Sequence, residues 1–280
     1  MLLWNGQRMS RDNNKRYVNI AAPLISIITP TWNRPHWLAI TLRSLINQTY
    51  PNWECIVQND FGEDVEYVIK GFNDSRIKYF INDRNVGLSQ TRNNAIKNSS
   101  GDYLIYLDDD DWLYNETLEF RLGRIKKLNV DVVYSRVLRS YYEKIGNQYQ
   151  LKGSDLYWNS MYNPDLILIQ NISPVNGVMS SRRANEFAGE FDISLSTSED
   201  WSHWVEMSRR YDFHETKIID CECSYRLDLS QMTGVRTGYT DHLPYLYKKW
   251  REYAKDKNFV IEHQNSALKA RNLNPEDYGL

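Results

Sequence analysis

Gly101-Asp102-Tyr103-Leu104-Ile105-Tyr106-Leu107-Asp108-Asp109-Asp110-Asp111 passes from a strand-like run of large apolar residues directly into four consecutive aspartates. So much like charge at one point calls for a counter-ion. Carboxylate oxygens are hard ligands for magnesium, manganese or calcium, and such ions are held by one or two carboxylates together with substrate phosphates. The stretch therefore points to metal-assisted chemistry on a phosphate ester or diphosphate. Taken alone it also fits a solvated turn or a calcium loop.

Outward from this strand, from Leu24 on, short β-rich runs alternate with amphipathic helical stretches, the pattern of a largely parallel sheet covered by helices. Leu24 to Thr29 reads as a strand, ended by Pro30 and the Asn33-Arg34-Pro35 turn. Trp37, Leu38, Ile40, Thr41, Leu42, Leu45 and Ile46 then recur at helical spacing. Trp53 to Val57, Ile77 to Ile81 and Tyr103 to Leu107 read as further strands, with helices over Val65 to Phe72 and Ser89 to Lys97 between them. In open α/β sheets ligands bind beyond the carboxyl ends of the strands, where loops converge. Trp32, Asp60 and Asp108 to Asp111 each follow a predicted strand, so they are expected to line one crevice.

After Val137 the pattern weakens: Ser140 to Leu156 is polar and Tyr-rich, and Asn171 to Arg183 carries turn residues without a clear period. Ser198 to Arg210 returns to helical spacing, with Trp201, Trp204, Val205 and Ser208 on one face, and Ser196-x-x-Glu199 has the spacing of a capping box. Leu243, Leu246, Tyr247 and Trp250 fall at i, i+3, i+4 and i+7 in a tail that reads as one or two surface helices.

The 280 residues carry 34 Lys and Arg against 36 Asp and Glu, a formal charge of −2, which argues against a nucleic-acid partner. Apolar residues at 41% and charged residues at 25% describe an ordinary globular chain. The 20 tyrosines and nine tryptophans suit cores as well as stacking on sugars or bases. Three cysteines, Cys55, Cys221 and Cys223, are too sparse for a disulfide framework and fit a reducing cytoplasm. Met1 to Ala22 lacks the apolar core of a signal peptide, and no stretch approaches the ~20 apolar residues that span a bilayer.

Four segments together resemble glycosyltransferase family 2. Ser26-Ile27-Ile28-Thr29-Pro30-Thr31-Trp32-Asn33-Arg34 is similar to the family's opening strand and nucleotide loop, with Trp32 in place of the usual Tyr. Asn85-Val86-Gly87-Leu88-Ser89-Gln90-Thr91-Arg92-Asn93 resembles the stretch that ends in Ala-Arg-Asn. Gly101 to Asp111 resembles the strand leading to the Asp-x-Asp motif. Gly189-Glu190-Phe191-Asp192, with Ser198-Glu199-Asp200-Trp201, is similar to the acceptor-side Gly-Gly-Phe-Asp and Glu-Asp segments. The resemblance extends from about Pro23 to Arg210 and implies a GT-A fold: an α/β architecture with a mostly parallel central sheet flanked by helices, here with a C-terminal helical tail. It divides the chain into an extension (1–22), a catalytic domain (23–240) with a nucleotide half to 137 and an acceptor half from 138, and the tail (241–280).

The same resemblance implies an inverting transfer from a nucleotide diphosphate sugar, uridine-based, to a hydroxyl of a glycan, lipid-linked or glycoconjugate acceptor. Manganese or magnesium would stabilise the departing diphosphate. It places Asp110 as direct metal ligand, Asp108 and Asp109 at the ribose or at the metal through water, and Thr31, Trp32 and Asn33 in the nucleotide loop with Trp32 stacked on the base. Asp60 would accept a hydrogen bond from that base, and Arg92 or Arg84 would offset diphosphate charge. Asp200 is the candidate base that deprotonates the acceptor hydroxyl. Glu199 and Trp201 lie beside it on the acceptor side, and Glu199 is also suited to capping the helix. In Tyr225-Arg226-Leu227-Asp228, Asp stands about where family members carry a metal-binding His.

Several residues have a plainer reading: Asp60 as a turn former, Trp32 as a core ring, Arg92 as a brace of the helix beneath the site, Asp200 as an acid in a first helical turn favoured by the macrodipole. Cys221-x-Cys223 with His214 falls short of a closed zinc site and is better explained by alternation along a strand. His203, one turn beyond Glu199, reads as structural or as an acceptor contact. The tail's Lys248, Lys249 and Arg251 suit a solvated helix or peripheral contact with an anionic membrane. Two other functions stay open on residues alone: a sugar nucleotidyltransferase, which lacks here a glycine-rich basic loop, and a non-catalytic calcium-dependent carbohydrate-binding module.

Overall fold

In the computed structural model, which describes residues 22–146, 148–157, 161–226 and 242–280, strand β1 (Ile25–Thr31) is buried along its whole length. An apolar strand covered on both faces is what a parallel sheet between helices demands. β1 pairs in parallel with β2 (Trp53–Asn59) on one side and β4 (Tyr103–Tyr106) on the other, and β3 (Ile77–Ile81) forms the edge beyond β2. Helices α1 (Pro35–Ile46), α2 (Glu66–Phe72) and α3 (Leu88–Lys97) make the crossovers. α1 opens with Pro35, whose missing N–H costs nothing in a first turn, and buries Trp37, Leu38, Thr41, Leu42 and Leu45.

The remaining strands depart from the expected mostly parallel sheet. A nine-stranded sheet continues from β4 through β8 (Val178–Ser181), β6 (Val132–Ile145) and β9 (Phe213–Arg226) to β5 (Trp112–Leu113), with β7 (Gln148–Leu156) beside β6. β4–β8, β6–β8, β6–β7 and β5–β9 are antiparallel, and among the described residues only β6–β9 in this half is parallel. The division placed at 137 falls inside β6. Helices α4 (Thr117–Leu128), α5 (Arg182–Ala188) and α6 (Glu199–Ser208) flank this half.

A buried ion pair anchors α4 to β9: Arg121, fully buried, donates to both carboxylate oxygens of Asp220 at 2.9 and 2.5 Å and to the Asn176 carbonyl at 2.8 Å. Removing one partner of such a pair strands a charge and costs about 3–5 kcal/mol. Cys221 and Cys223 alternate along β9, both buried with free thiols, as strand geometry suggests.

The capping box is not formed. Ser198, not Ser196, is the N-cap of α6; it takes a left-handed φ of 62° and its side chain makes no capping bond. Ser196 instead meets His242, its Oγ lying 2.9 Å from Nε2.

The tail forms α7 (Leu243–Trp250) and α8 (Asn258–Lys269). The apolar stripe of α7 is buried, with the Trp250 ring 5.0 Å from that of Trp201 and Gln264 of α8 donating to the Leu168 carbonyl at 2.8 Å. That stripe is therefore committed to the protein's own core and is not free to enter a membrane. Asp228 and the segment 1–21 lie outside the described residues.

Candidate active site

Parallel pairing sets the carboxyl ends of β1, β2 and β4 at one edge of the sheet, with Thr31 opposite Asn59 and Ile28 opposite Tyr106. The turn 108–111 emerges at this edge and is pinned from several elements. Thr31 Oγ1 donates to Asp109 Oδ2 at 2.7 Å, Thr41 Oγ1 to the Asp111 carbonyl at 2.7 Å, and the Ser224 amide to Asp111 Oδ1 at 2.9 Å. Arg34 Nη1 lies 3.0 Å from both Asp109 Oδ1 and Asp110 Oδ2. Two carboxylates thus converge on one cation.

Burial, then the Asp110 charge, pushes the Asp109 carboxyl up to about 7 against the pull of Arg34. Asp111 is driven well above the usual carboxylate range by burial and the same neighbour. Hard oxygen donors gathered around a cation fit a divalent ion. No cluster of three or more His, Cys, Asp or Glu side chains able to hold a metal occurs among the described residues.

Trp32 projects at 53% exposure from the end of β1, and Phe61, at 58%, stands exposed after β2 with φ 59°. A Cβ on Gly62 would meet Asn33 Oδ1 at 2.8 Å and Trp32 Cδ1 at 2.9 Å, so the two loops approach this closely only with glycine there. Asn33 Oδ1 accepts the Glu63 amide at 2.7 Å, bracing the same contact. Trp32 is therefore a surface ring, not a core one.

Asp60 accepts the amides of Val86 and Gly87 at 2.7 and 2.9 Å and Asn82 Nδ2 at 3.0 Å. It fastens the loop ahead of α3 to the end of β2, and three of its acceptor positions are already engaged. This tie is the stronger feature of Asp60 in the structure.

Arg92 does not face the cleft as a free cation. It is 1% exposed, and its guanidinium is spent on two carboxylates: Nη2 reaches Asp108 Oδ1 at 2.6 Å and Nη1 reaches Glu199 Oε1 at 2.5 Å. In this arrangement Arg92 braces the site, tying the acidic turn to the first residue of α6. Glu199 is correspondingly an ion-pair partner rather than a cap.

Asp200 follows in the first turn of α6. Its Oδ1 accepts the Trp201 amide at 2.6 Å and its Oδ2 accepts Asn171 Nδ2 at 3.1 Å. Burial, then the adjacent Glu199 charge, raises its carboxyl to about 7, with Arg92 and the two hydrogen bonds pulling the other way. A carboxyl that exchanges its proton near neutrality is suited to general base work. Trp201 turns away from this site. It is 2% exposed, donates to the Ile167 carbonyl at 2.6 Å and packs on Trp250, which removes it from the acceptor contacts. His203 is also interior, stacked on Phe191 with centroids 4.3 Å apart and held neutral, its basicity lowered to about 3 by burial and the nearby Arg92 and Lys249 charges.

Residues that sequence reasoning passed over include Asn171, with no motif to mark it, and Phe61, which an aromatic between Asp60 and Gly62 could have flagged. Arg34 was quoted only as part of a motif.

The fold and this cleft define a nucleotide-diphospho-sugar transferase architecture of the GT-A class. The family model for glycosyl transferase family 2 matches residues 26–184, more than half of the chain, and the chain belongs to that family. Among curated relatives, the UDP-Glc:alpha-D-GlcNAc-diphosphoundecaprenol beta-1,3-glucosyltransferase WfgD of Escherichia coli is 36% identical over 126 residues, 44% of this chain and 47% of that protein. The putative colanic acid biosynthesis glycosyl transferase WcaA of Escherichia coli K12 is 32% identical over 194 residues, 68% of this chain and 67% of that protein. The match thus spans about half the length of the first relative and two thirds of the second. Among solved structures, S. aureus TarS 1-349 in complex with UDP-GlcNAc shares the fold with a TM-score of 0.64 at 18% identity, over 88% of this chain and 72% of that one. The mannosyltransferase PcManGT from Pyrobaculum calidifontis, in complex with GDP-Man and Mn2+, has a TM-score of 0.58 at 13% identity, over 90% of this chain and 75% of that one.

Proposed function

We propose that the chain moves a sugar from a nucleotide diphosphate sugar, uridine-based, to an acceptor hydroxyl in glycan or glycoconjugate synthesis, with inversion at the anomeric carbon. The observation that carries the reading is the contact chain Asp108–Arg92–Glu199, which joins the acidic turn to the residue beside Asp200. This supports a reading in which the helix that would carry the base faces the turn that would hold the diphosphate.

In this reading Asp200 takes the acceptor proton as the hydroxyl oxygen attacks the anomeric carbon, and the bond to the diphosphate oxygen breaks with its electrons leaving on the diphosphate. One displacement gives inversion. Asp110 would hold the divalent ion, manganese or magnesium, which when bound supplies charge stabilisation to the leaving group. Asp109 and Asp108, next to it in the turn, would serve the ribose or the metal, and Trp32 would offer its exposed face to the base. Names of relatives support the substrate class: WfgD acts on a diphosphoundecaprenol-linked sugar, and a Campylobacter jejuni relative, 26% identical over 235 residues, is a GalNAc(5)-diNAcBac-PP-undecaprenol beta-1,3-glucosyltransferase. A lipid-linked acceptor is the natural extension to this chain.

No helix among the described residues is long and apolar enough to cross a membrane. With the α7 stripe buried, peripheral contact through the tail would rest on exposed groups such as Tyr245, Lys248, Lys255 and Phe259.

Calorimetric titration with uridine diphosphate, with and without manganese, tests the reading. Binding that requires the metal is the expected result. Sugar binding without any nucleotide affinity would instead mark a carbohydrate-binding module.

A further inference from the structure

Arg34 stands at the N-cap of α1, and both of its ion pairs run through one nitrogen, Nη1, at 3.0 Å from Asp109 Oδ1 and 3.0 Å from Asp110 Oδ2. The carboxylates it joins are fixed. Their side chains are 4% and 8% exposed, and Asp109 is held through its other oxygen by Thr31 at 2.7 Å. The arginine side chain is 25% exposed, with solvent on one side. This sets it apart from Arg121, which is fully buried and clamped through three of its nitrogens by Asp220, Ser135 and Asn176. Of the pair's three members, the cation is the one able to move.

One guanidinium engages both Asp109 and Asp110, and a divalent ion bound at the turn would take up the same two carboxylates. Both cations cannot serve the same two oxygens: magnesium sits at about 2.0–2.1 Å from its ligands, and a guanidinium held against those ligands would face it at close range as a like charge.

We propose that Arg34 is a displaceable counter-ion, which neutralises the Asp109–Asp110 pair while no divalent ion is present and gives up these carboxylates when the ion arrives. The inference rests on the metal-dependent reading above and deepens it by naming the residue with which the metal must compete. The helix start does not depend on the guanidinium, because at this position it is the Arg34 carbonyl that accepts the Leu38 amide at 3.0 Å.

The test is manganese binding to the intact, nucleotide-free chain, followed through the electron paramagnetic resonance signal of free Mn2+, for wild type, Arg34→Gln and Arg34→Lys. Removing the competing charge should tighten manganese binding roughly tenfold, equivalent to ~1.4 kcal/mol, with the lysine variant close to wild type. In parallel, Arg34→Gln should melt lower than wild type without metal and regain the difference when manganese is added, a rescue that a purely structural arginine would not show. Equal or weaker manganese affinity in a folded Arg34→Gln overturns the role. The two layers fail separately: wild type that binds uridine diphosphate only with manganese, together with an unimproved Arg34→Gln, removes this inference alone. A wild type that never binds manganese removes both.

Discussion

Replacing Asp200 with Asn separates its chemical role from its structural cost. A carboxyl moved from 3.8 to about 7 carries a penalty in the ionised fold. At 1.36 kcal/mol per pH unit the full displacement amounts to ~4 kcal/mol; partial exposure of the residue and the single hydrogen bond that Asn gives up, worth ~1 kcal/mol, reduce the net gain to about 1–3 kcal/mol. The sign follows from proton counting. Between 3.8 and about 7 the folded state holds a proton that the unfolded chain has lost, so the contribution of Asp200 to stability falls as pH rises through this window. Below it the acid is neutral in both states and the substitution is nearly silent. Asp200→Asn should therefore raise the melting temperature relative to wild type by about 2–12 °C at pH 8, on a scale of roughly 2–4 °C per kcal/mol for a chain of this size, and by little at pH 4. Donor binding should persist while transfer falls by about 10²–10⁴-fold, the usual worth of a positioned base. Differential scanning fluorimetry at both pH values and a coupled assay for released uridine diphosphate would read the two effects. Retained turnover would refute Asp200 as base, and a melting difference independent of pH would refute the buried-charge argument.

Trp32→Ala should weaken uridine diphosphate by ~1–3 kcal/mol, the worth of one base–aromatic stack, in isothermal titration; an unchanged affinity would place the nucleotide elsewhere, with Phe61 the next ring to examine. Glu199→Gln removes the charge that, after burial, does most to raise Asp200, and leaves Arg92 less neutralised. Both effects lower the Asp200 value, so the acidic limb of transfer near pH 7, where the base gains its proton, should move to lower pH, and a limb that stays put would show Asp200 is not the titrating group. Trp250→Ala empties a fully buried site against Trp201 and Tyr247 and should cost about 3–5 kcal/mol in urea unfolding; a loss under 1 kcal/mol would mean that the tail adds little to the core.

How far the sequence speaks depends on where each residue finds its partners. β1 to β4 with α1 to α3 were legible to within about two residues because each strand is a short run rich in β-branched and aromatic residues closed by a turn former, and α1 repeats its apolar residues on one side. The second half obeys no such period. β7 is exposed along nearly its whole length, so nothing enforces alternation, and β6 and β9 bury Ser135, Thr216 and Asp220 around Arg121, which breaks any apolar pattern.

The site divides in the same way. The acidic turn and Trp32 announce themselves by composition and by position after a strand. Arg92 could not, because its fate is decided by Glu199, 107 residues further along the chain; beside a nominal diphosphate site, a cation reads as a ligand contact until its partners are seen. Trp201 misled for a related reason. α6 is covered almost all round, with Trp201, His203, Trp204, Val205 and Met207 all buried, and the tail supplies the missing cover through Trp250. A sequence shows that a helix has an apolar face but not how many neighbours surround it. Here the tail's packing sends Trp201 inward and leaves Asp200, alone of the three residues that open the helix, partly exposed.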